Sequence, residues 1–132
     1  LGDIRNTFGK AERLCSKKLI GELFKDGKHI TIFPYRLIWK EVELPSSSPV
    51  QIAISVPKKR MKRAVDRNRI KRVLREGYRL NKAELYNSLK DSKKQYALFL
   101  IYSGPKDIEF KEAEGKIILI LQRLIKECGI VS

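Results

Sequence analysis

The sequence predicts an α+β fold, a single-domain α-β-β-β-α-β-α sandwich built on a mixed sheet of about four strands. Three observations predict it. Helical and extended periodicities alternate along the chain, an unbroken apolar run from Tyr96 to Tyr102 reads as a central strand, and 132 residues with 42% apolar content support one core. No run of about 18 apolar residues occurs, so nothing is expected to span a bilayer, and neither a repeat nor a linker divides the chain. Residues 1–13 read as a flexible N-terminal segment of this one domain.

Each element has a local reason. Ser16 suits the N-cap of a helix over Lys17–Lys25, whose apolar stripe is Leu19, Ile20, Leu23 and Phe24, with Gly27 as its stop. His29–Phe33 and Tyr35–Glu43 read as extended segments separated by Pro34, the second alternating Tyr35, Leu37 and Trp39 with Arg36, Ile38 and Lys40. The Pro45–Pro49 stretch is a turn. Val50–Val56 is a strand with Val50, Ile52, Ile54 and Val56 on one face. Helical spacing predicts a helix over Ala64–Asn81 and a short one over Ala83–Leu89, then the Tyr96–Tyr102 strand broken by Gly104-Pro105. Asp107 is expected to cap a last helix that reaches Glu127, with Gly129 ending it.

Charge is the dominant feature. Lys and Arg number 29 against 15 Asp and Glu, a formal net charge of +14. The 26 residues from Pro57 to Lys82 hold 12 of those cations and two acids, so +10 of the excess sits in one segment. On a helix, Ile70, Val73, Leu74 and Gly77 share an apolar side. Gly77 there would permit close approach to the sheet, while Arg67, Asn68, Lys71, Arg72, Arg75, Arg79 and Lys82 spread over the opposite arc. A solvated face normally mixes signs at i and i+4, and this arc is nearly all positive, a repulsion that a bound anion relieves. A membrane-surface helix would need its apolar side free, and that side is needed for the core. A polyanion, and nucleic acid first among polyanions, is the expected partner. The strand leading into the helix argues against a helix-turn-helix, whereas single-stranded nucleic acid would want aromatic walls, for which Phe24, Tyr35 and Trp39 are candidates.

Catalytic chemistry has few candidates. Two distant cysteines, Cys15 and Cys128, make neither a disulfide framework nor a zinc spacing, and a single histidine, His29, excludes most nucleophile–His–acid schemes. Glu41 and Glu43 share a strand face, and Glu109, Glu112 and Glu114 open the last helix; edge solvation and helix-dipole compensation explain them more simply than metal or acid–base work. No catalytic residue and no metal ligand is assigned.

The stretch Ala64-Val65-Asp66-Arg67-Asn68-Arg69-Ile70-Lys71-Arg72-Val73-Leu74-Arg75-Glu76, preceded by Ser55-Val56-Pro57-Lys58-Lys59, closely resembles the signature helix and lead-in of the protein subunit of bacterial ribonuclease P. The resemblance implies a left-handed crossover through the basic helix, against the usual hand. It implies binding to a large catalytic RNA and to precursor tRNA, with the RNA and its Mg²⁺ removing the 5′ leader. By position, Lys58, Lys59, Arg60, Arg67, Asn68, Arg69, Lys71, Arg72, Arg75 and Arg79 would face RNA. Ile20, Phe24, Tyr35 and Leu37 would line a leader cleft between the first helix and the sheet, Ile20 standing where many members carry an aromatic. The turn Arg60-Met61-Lys62-Arg63 is one residue longer than usual and lacks a common glycine. A cytoplasmic protein, monomeric when isolated, is implied. A generic RNA-binding module and a stand-alone nuclease are the alternatives.

Overall fold

Helix α1 (Lys17–Asp26) begins where the Ser16 Oγ accepts the Leu19 N–H at 3.2 Å, satisfying one of the otherwise orphan donors of the first turn. The computed structural model describes residues 8–59 and 61–128, so Arg60 and Gly129 lie outside the described residues. Helix α1 stops at Gly27, whose N–H donates to the Leu23 carbonyl at 2.8 Å. A Cβ at Gly27 would stand 2.4 Å from that carbonyl oxygen and 2.5 Å from the Ile38 Cγ2, so the absent side chain lets the chain turn tightly into the sheet.

Strands β1 (Lys28–Ile32), β2 (Tyr35–Val42), β3 (Val50–Ser55) and β4 (Gln95–Tyr102) form one sheet of order β1-β2-β4-β3. β2 is antiparallel to both β1 and β4, while β3 and β4 are parallel. The parallel pair requires a crossover, and helices α2 (Ala64–Asn81) and α3 (Ala83–Leu89) lie within it. Helix α4 (Phe110–Glu127) closes the order. Its N-cap is Glu109, with no side-chain cap bond. Asp107 therefore does not cap it: it lies two residues before the N-cap, in a turn where Ile108 N–H donates to the Lys106 carbonyl.

The sheet is covered on both faces. One face presents Ile30, Tyr35, Leu37, Trp39, Ile52, Leu98 and Leu100 to a core completed by Ile70, Leu74 and Tyr78 of α2 and Ile117, Leu121 and Leu124 of α4. The other presents Ile38, Ala97 and Ile101 to Leu23 of α1 and Leu14. Alternate residues of β2 thus enter different cores, which is why both Leu37 and Ile38 are buried. Gly77 serves a different neighbour from the expected sheet: its missing Cβ would lie 2.8 Å from Ile117 Cδ1, so α2 approaches α4 closely there.

Lys82 also departs from expectation. It leaves the cationic arc, is 1% exposed, and pairs with Glu12 of the N-terminal segment. Tyr86 Oη donates to the same carboxylate at 2.6 Å, and the Tyr78 and Tyr86 hydroxyls are 3.1 Å apart. The Gly9 N–H binds the other Glu12 oxygen at 3.1 Å, and Leu14 N–H donates to the Ile52 carbonyl at 3.0 Å. The described part of the N-terminal segment is thereby tied to both the sheet and the crossover.

Partial burial would raise the Glu12 carboxyl, but the bonds from Lys82, Tyr86 and Gly9, with the Lys82 charge, bring it below its ordinary value of 4.5. A depressed carboxyl stabilises the fold above its unfolded value and loses that contribution as pH falls through the folded one. Glu12→Gln is expected to cost on the order of 3 kcal/mol at neutral pH, because the buried Lys82 ammonium loses its counter-charge. Urea unfolding followed from neutral pH to below 4.5 should show a shallower acid loss for the variant than for the wild type.

Candidate nucleic-acid interface

The 18-residue helix α2 separates its residues by what each side touches. Ile70, Leu74, Gly77 and Tyr78 are buried. Asn68, Arg72 and Arg75 are exposed, following one another at i, i+4 and i+7 along one stripe, with Lys71 half-buried beside it. Val65, 68% exposed, begins the same stripe. Lys58 and Lys59 are exposed in the turn that leaves β3.

The other signature cations hold the frame. Arg67 Nη1 donates to the Met61 carbonyl at 2.9 Å and the Lys62 carbonyl at 2.7 Å, stitching the turn to the helix it precedes. Met61 in that turn is buried in the main core, which anchors the chain just before the helix. Arg69 donates to the Lys106 carbonyl in the β4–α4 loop. Neither bond neutralises a charge, since carbonyls carry none. Arg79 differs, because Glu76 receives its Nε at 3.0 Å and its Nη2 at 2.6 Å. That pairing raises Arg79 and lowers Glu76 from their usual values through the hydrogen bonds between them. Among the described residues, Arg79 is the cation of the α2 signature that a carboxylate compensates.

The expected leader-cleft residues are not brought together. Ile20 and Phe24 do lie one turn apart on α1, and Phe24 is 53% exposed. Tyr35 and Leu37, however, are 3% and 1% exposed and face the α2–α4 core, on the opposite side of the sheet. Trp39 does the same. The residues opposite α1 belong to the other register: Ile38 beneath it, and Phe99 and Ala53 partly open beside it. Phe24 and Phe99 meet edge to face with ring centroids 5.0 Å apart. Sequence reasoning missed Phe99 because the YALFLIY run carries no polar alternation to tell one face from the other.

Among the described residues no group of three or more His, Cys, Asp and Glu is placed to hold a metal ion. None of their helices is long and apolar enough to cross a membrane.

The family model for ribonuclease P matches residues 8–125. The ribonuclease P protein component of Porphyromonas gingivalis is 40% identical over 93 residues, which are 69% of this chain and 67% of that protein. That of Geotalea uraniireducens is 30% identical over 119 residues, 90% of this chain and 96% of that protein. The fold is similar to the ribonuclease P proteins of Staphylococcus aureus, with a TM-score of 0.69 at 22% identity over 87% of this chain and 96% of that one. For Thermotoga maritima the TM-score is 0.66 at 22% identity, over 85% and 96%.

The geometry divides the signature into cations that brace and cations that project. Arg67→Ala should destabilise the protein by about 1.5–3 kcal/mol, the range for a hydrogen bond made by a charged group. Arg72→Ala, which loses no bond within the fold, should stay within about 0.5 kcal/mol of wild type. Urea unfolding of the two variants side by side checks the division.

Proposed function

The chain belongs to the ribonuclease P protein family, the protein subunits of a tRNA-processing endoribonuclease, and on that premise we propose that it binds the catalytic RNA through the outer stripe of α2 and the precursor tRNA leader beside α1. The observation that carries this reading is the run Asn68, Arg72 and Arg75 with Lys71, a line of donors without acidic partners among the described residues, on a helix whose other side is buried. Guanidinium groups suit phosphate in two-pronged geometry, and Asn68 adds both a donor and an acceptor for a base edge. Lys58 and Lys59 extend the positive charge toward β3. Arg67 and Arg69 add charge while bracing the turn and the β4–α4 loop.

Mg²⁺ belongs with the RNA in this reading, and the described residues offer no donor set for an ion of their own. The chain's contribution is positioning. It neutralises phosphate charge where two polyanions must approach, and it holds the substrate's single-stranded leader. For the leader, Phe24 and Phe99 supply faces on which bases stack, with Ile20 and Ala53 as apolar contacts; Tyr35 and Leu37 are not part of that surface. The isolated protein is a monomer and works in the cytoplasm.

Reconstitution tests this. Cleavage of precursor tRNA by the catalytic RNA at low Mg²⁺ should rise when the protein is added, while the protein alone should cut nothing. Cutting by the pure protein would favour the nuclease alternative, and RNA binding without stimulation would favour a generic binding module. Phe24→Ala should weaken binding of precursor tRNA with a leader by about 1–3 kcal/mol per base unstacked. Affinity for tRNA without a leader should not change. Equal losses on both, in a variant whose unfolding matches wild type, would remove Phe24 from the leader surface.

A further inference from the structure

The N-terminal segment meets helix α2 at two points, and both lie on one line of that helix. Lys71, Arg75, Tyr78 and Lys82 follow one another at i, i+4, i+7 and i+11. The Phe8 ring meets Tyr78 edge to face with centroids 6.0 Å apart. Glu12 pairs with Lys82 at the C-cap of the helix. The segment is therefore docked on the far half of a line whose near half is two cations, exposed Arg75 and half-buried Lys71.

Arg13 stands between the two residues that anchor this segment. On one side Glu12 receives Lys82, Tyr86 and the Gly9 N–H. On the other, Leu14 is buried and bonded to the Ile52 carbonyl, and Arg13 itself bridges Ile52 in parallel register. The Arg13 side chain is exposed, with its Cζ 5.6 Å from the centre of the Phe8 ring. A contact of that kind orients a guanidinium without using its N–H donors. Among the described residues, neither a carboxylate nor a carbonyl receives those donors. Arg67 and Arg69 give theirs to backbone carbonyls and Arg79 gives its own to Glu76, whereas Arg13 gives none. The stack Tyr78–Phe8–Arg13 thus holds a charge in place without neutralising it, at the end of a line of cations.

We propose that Arg13 is a further RNA-contacting residue, which takes a phosphate of the same strand that lies along Lys71 and Arg75, and that Phe8 is its positioning residue. A guanidinium seated on a ring and free at its edge suits two-pronged phosphate contact. A second copy of this chain, itself carrying +14, is disfavoured at such a surface. The proposal rests on the RNA-binding reading of α2 and extends it to a segment outside the signature. Glu12 then has two tasks, since the buried pair that stabilises the fold also fixes where Arg13 stands.

The test measures binding of the full chain to the catalytic RNA over a range of salt, after urea unfolding has shown each variant to be folded. Arg13→Ala should shallow the slope of log affinity against log salt by about 0.9. Its deficit against the wild type should then shrink about 3.5-fold as salt rises from about 50 to about 200 mM. Arg13→Gln takes its place if the alanine variant does not fold. Arg13→Lys, which keeps the charge, should keep the slope. Phe8→Leu should keep the slope as well but weaken binding several-fold at low salt, because Arg13 loses its seat. Phe8→Tyr, which restores a ring, should restore the affinity; wild-type binding by Phe8→Leu would remove Phe8 from its positioning role. Lys126, exposed on the last turn of α4, gives the control for net charge. Lys126→Ala should leave the slope unchanged, and a loss equal to that of Arg13→Ala would overturn the contact. If Arg13→Ala keeps the wild-type slope while Arg72→Ala combined with Arg75→Ala lowers it, Arg13 lies outside the interface and the α2 reading stands. If neither lowers it, the RNA reading of α2 fails together with the proposal.

Discussion

The contact between α2 and α4 determines where every projecting cation stands. Six basic and two acidic residues share the 18-residue helix α2, and their mutual repulsion works against it. Each exposed like-charge pair costs a few tenths of a kcal/mol. Each fully buried Ile or Leu contributes about 1.5–3 kcal/mol. Ile70 and Leu74, both 0% exposed, with Tyr78 beside them, outweigh the repulsion several times over. Gly77 completes the contact by letting the backbone approach Ile117. A helix fastened this firmly from behind can keep a cationic face toward solvent.

Basic residues in the signature segment do three different things. Lys82 is internal, its charge matched by Glu12 under the rings of Tyr78 and Tyr86. Arg67 and Arg69 reach backbone carbonyls and hold the turn before α2 and the loop before α4. Asn68, Lys71, Arg72 and Arg75 are left to project. A count of charge therefore overstates the interface, and the hydrogen bonds separate its members.

What was legible in the sequence was local. The extents of α2 and α3 were readable closely, since helical spacing begins at Ala64 and fades near Leu89. The strands were legible to within a residue or two for the same reason. What needed the third dimension was which neighbour each side chain meets. Alternation on β2 separates Leu37 from Ile38, but helices cover both faces, so period alone could not say which residue lies under α1. Lys82 finds Glu12 across 70 positions of chain, beyond the reach of any local pattern. Asp107 looked like a cap because it precedes an apolar period; the intervening turn moved the helix start to Phe110.

The family resemblance carried the function, and the geometry changed its residue list. Tyr35 lies on the sheet face away from α1, Phe99 meets Phe24 on the other, and Arg79 is offset by Glu76. In the proposed function the projecting stripe of α2 neutralises RNA phosphate. The salt dependence of affinity for the catalytic RNA measures that most directly, because each phosphate contact releases counterions and adds about 0.9 to the slope of log affinity against log salt. Arg72→Ala combined with Arg75→Ala should shallow the wild-type slope by about two. An unchanged slope in a folded double variant would contradict the account.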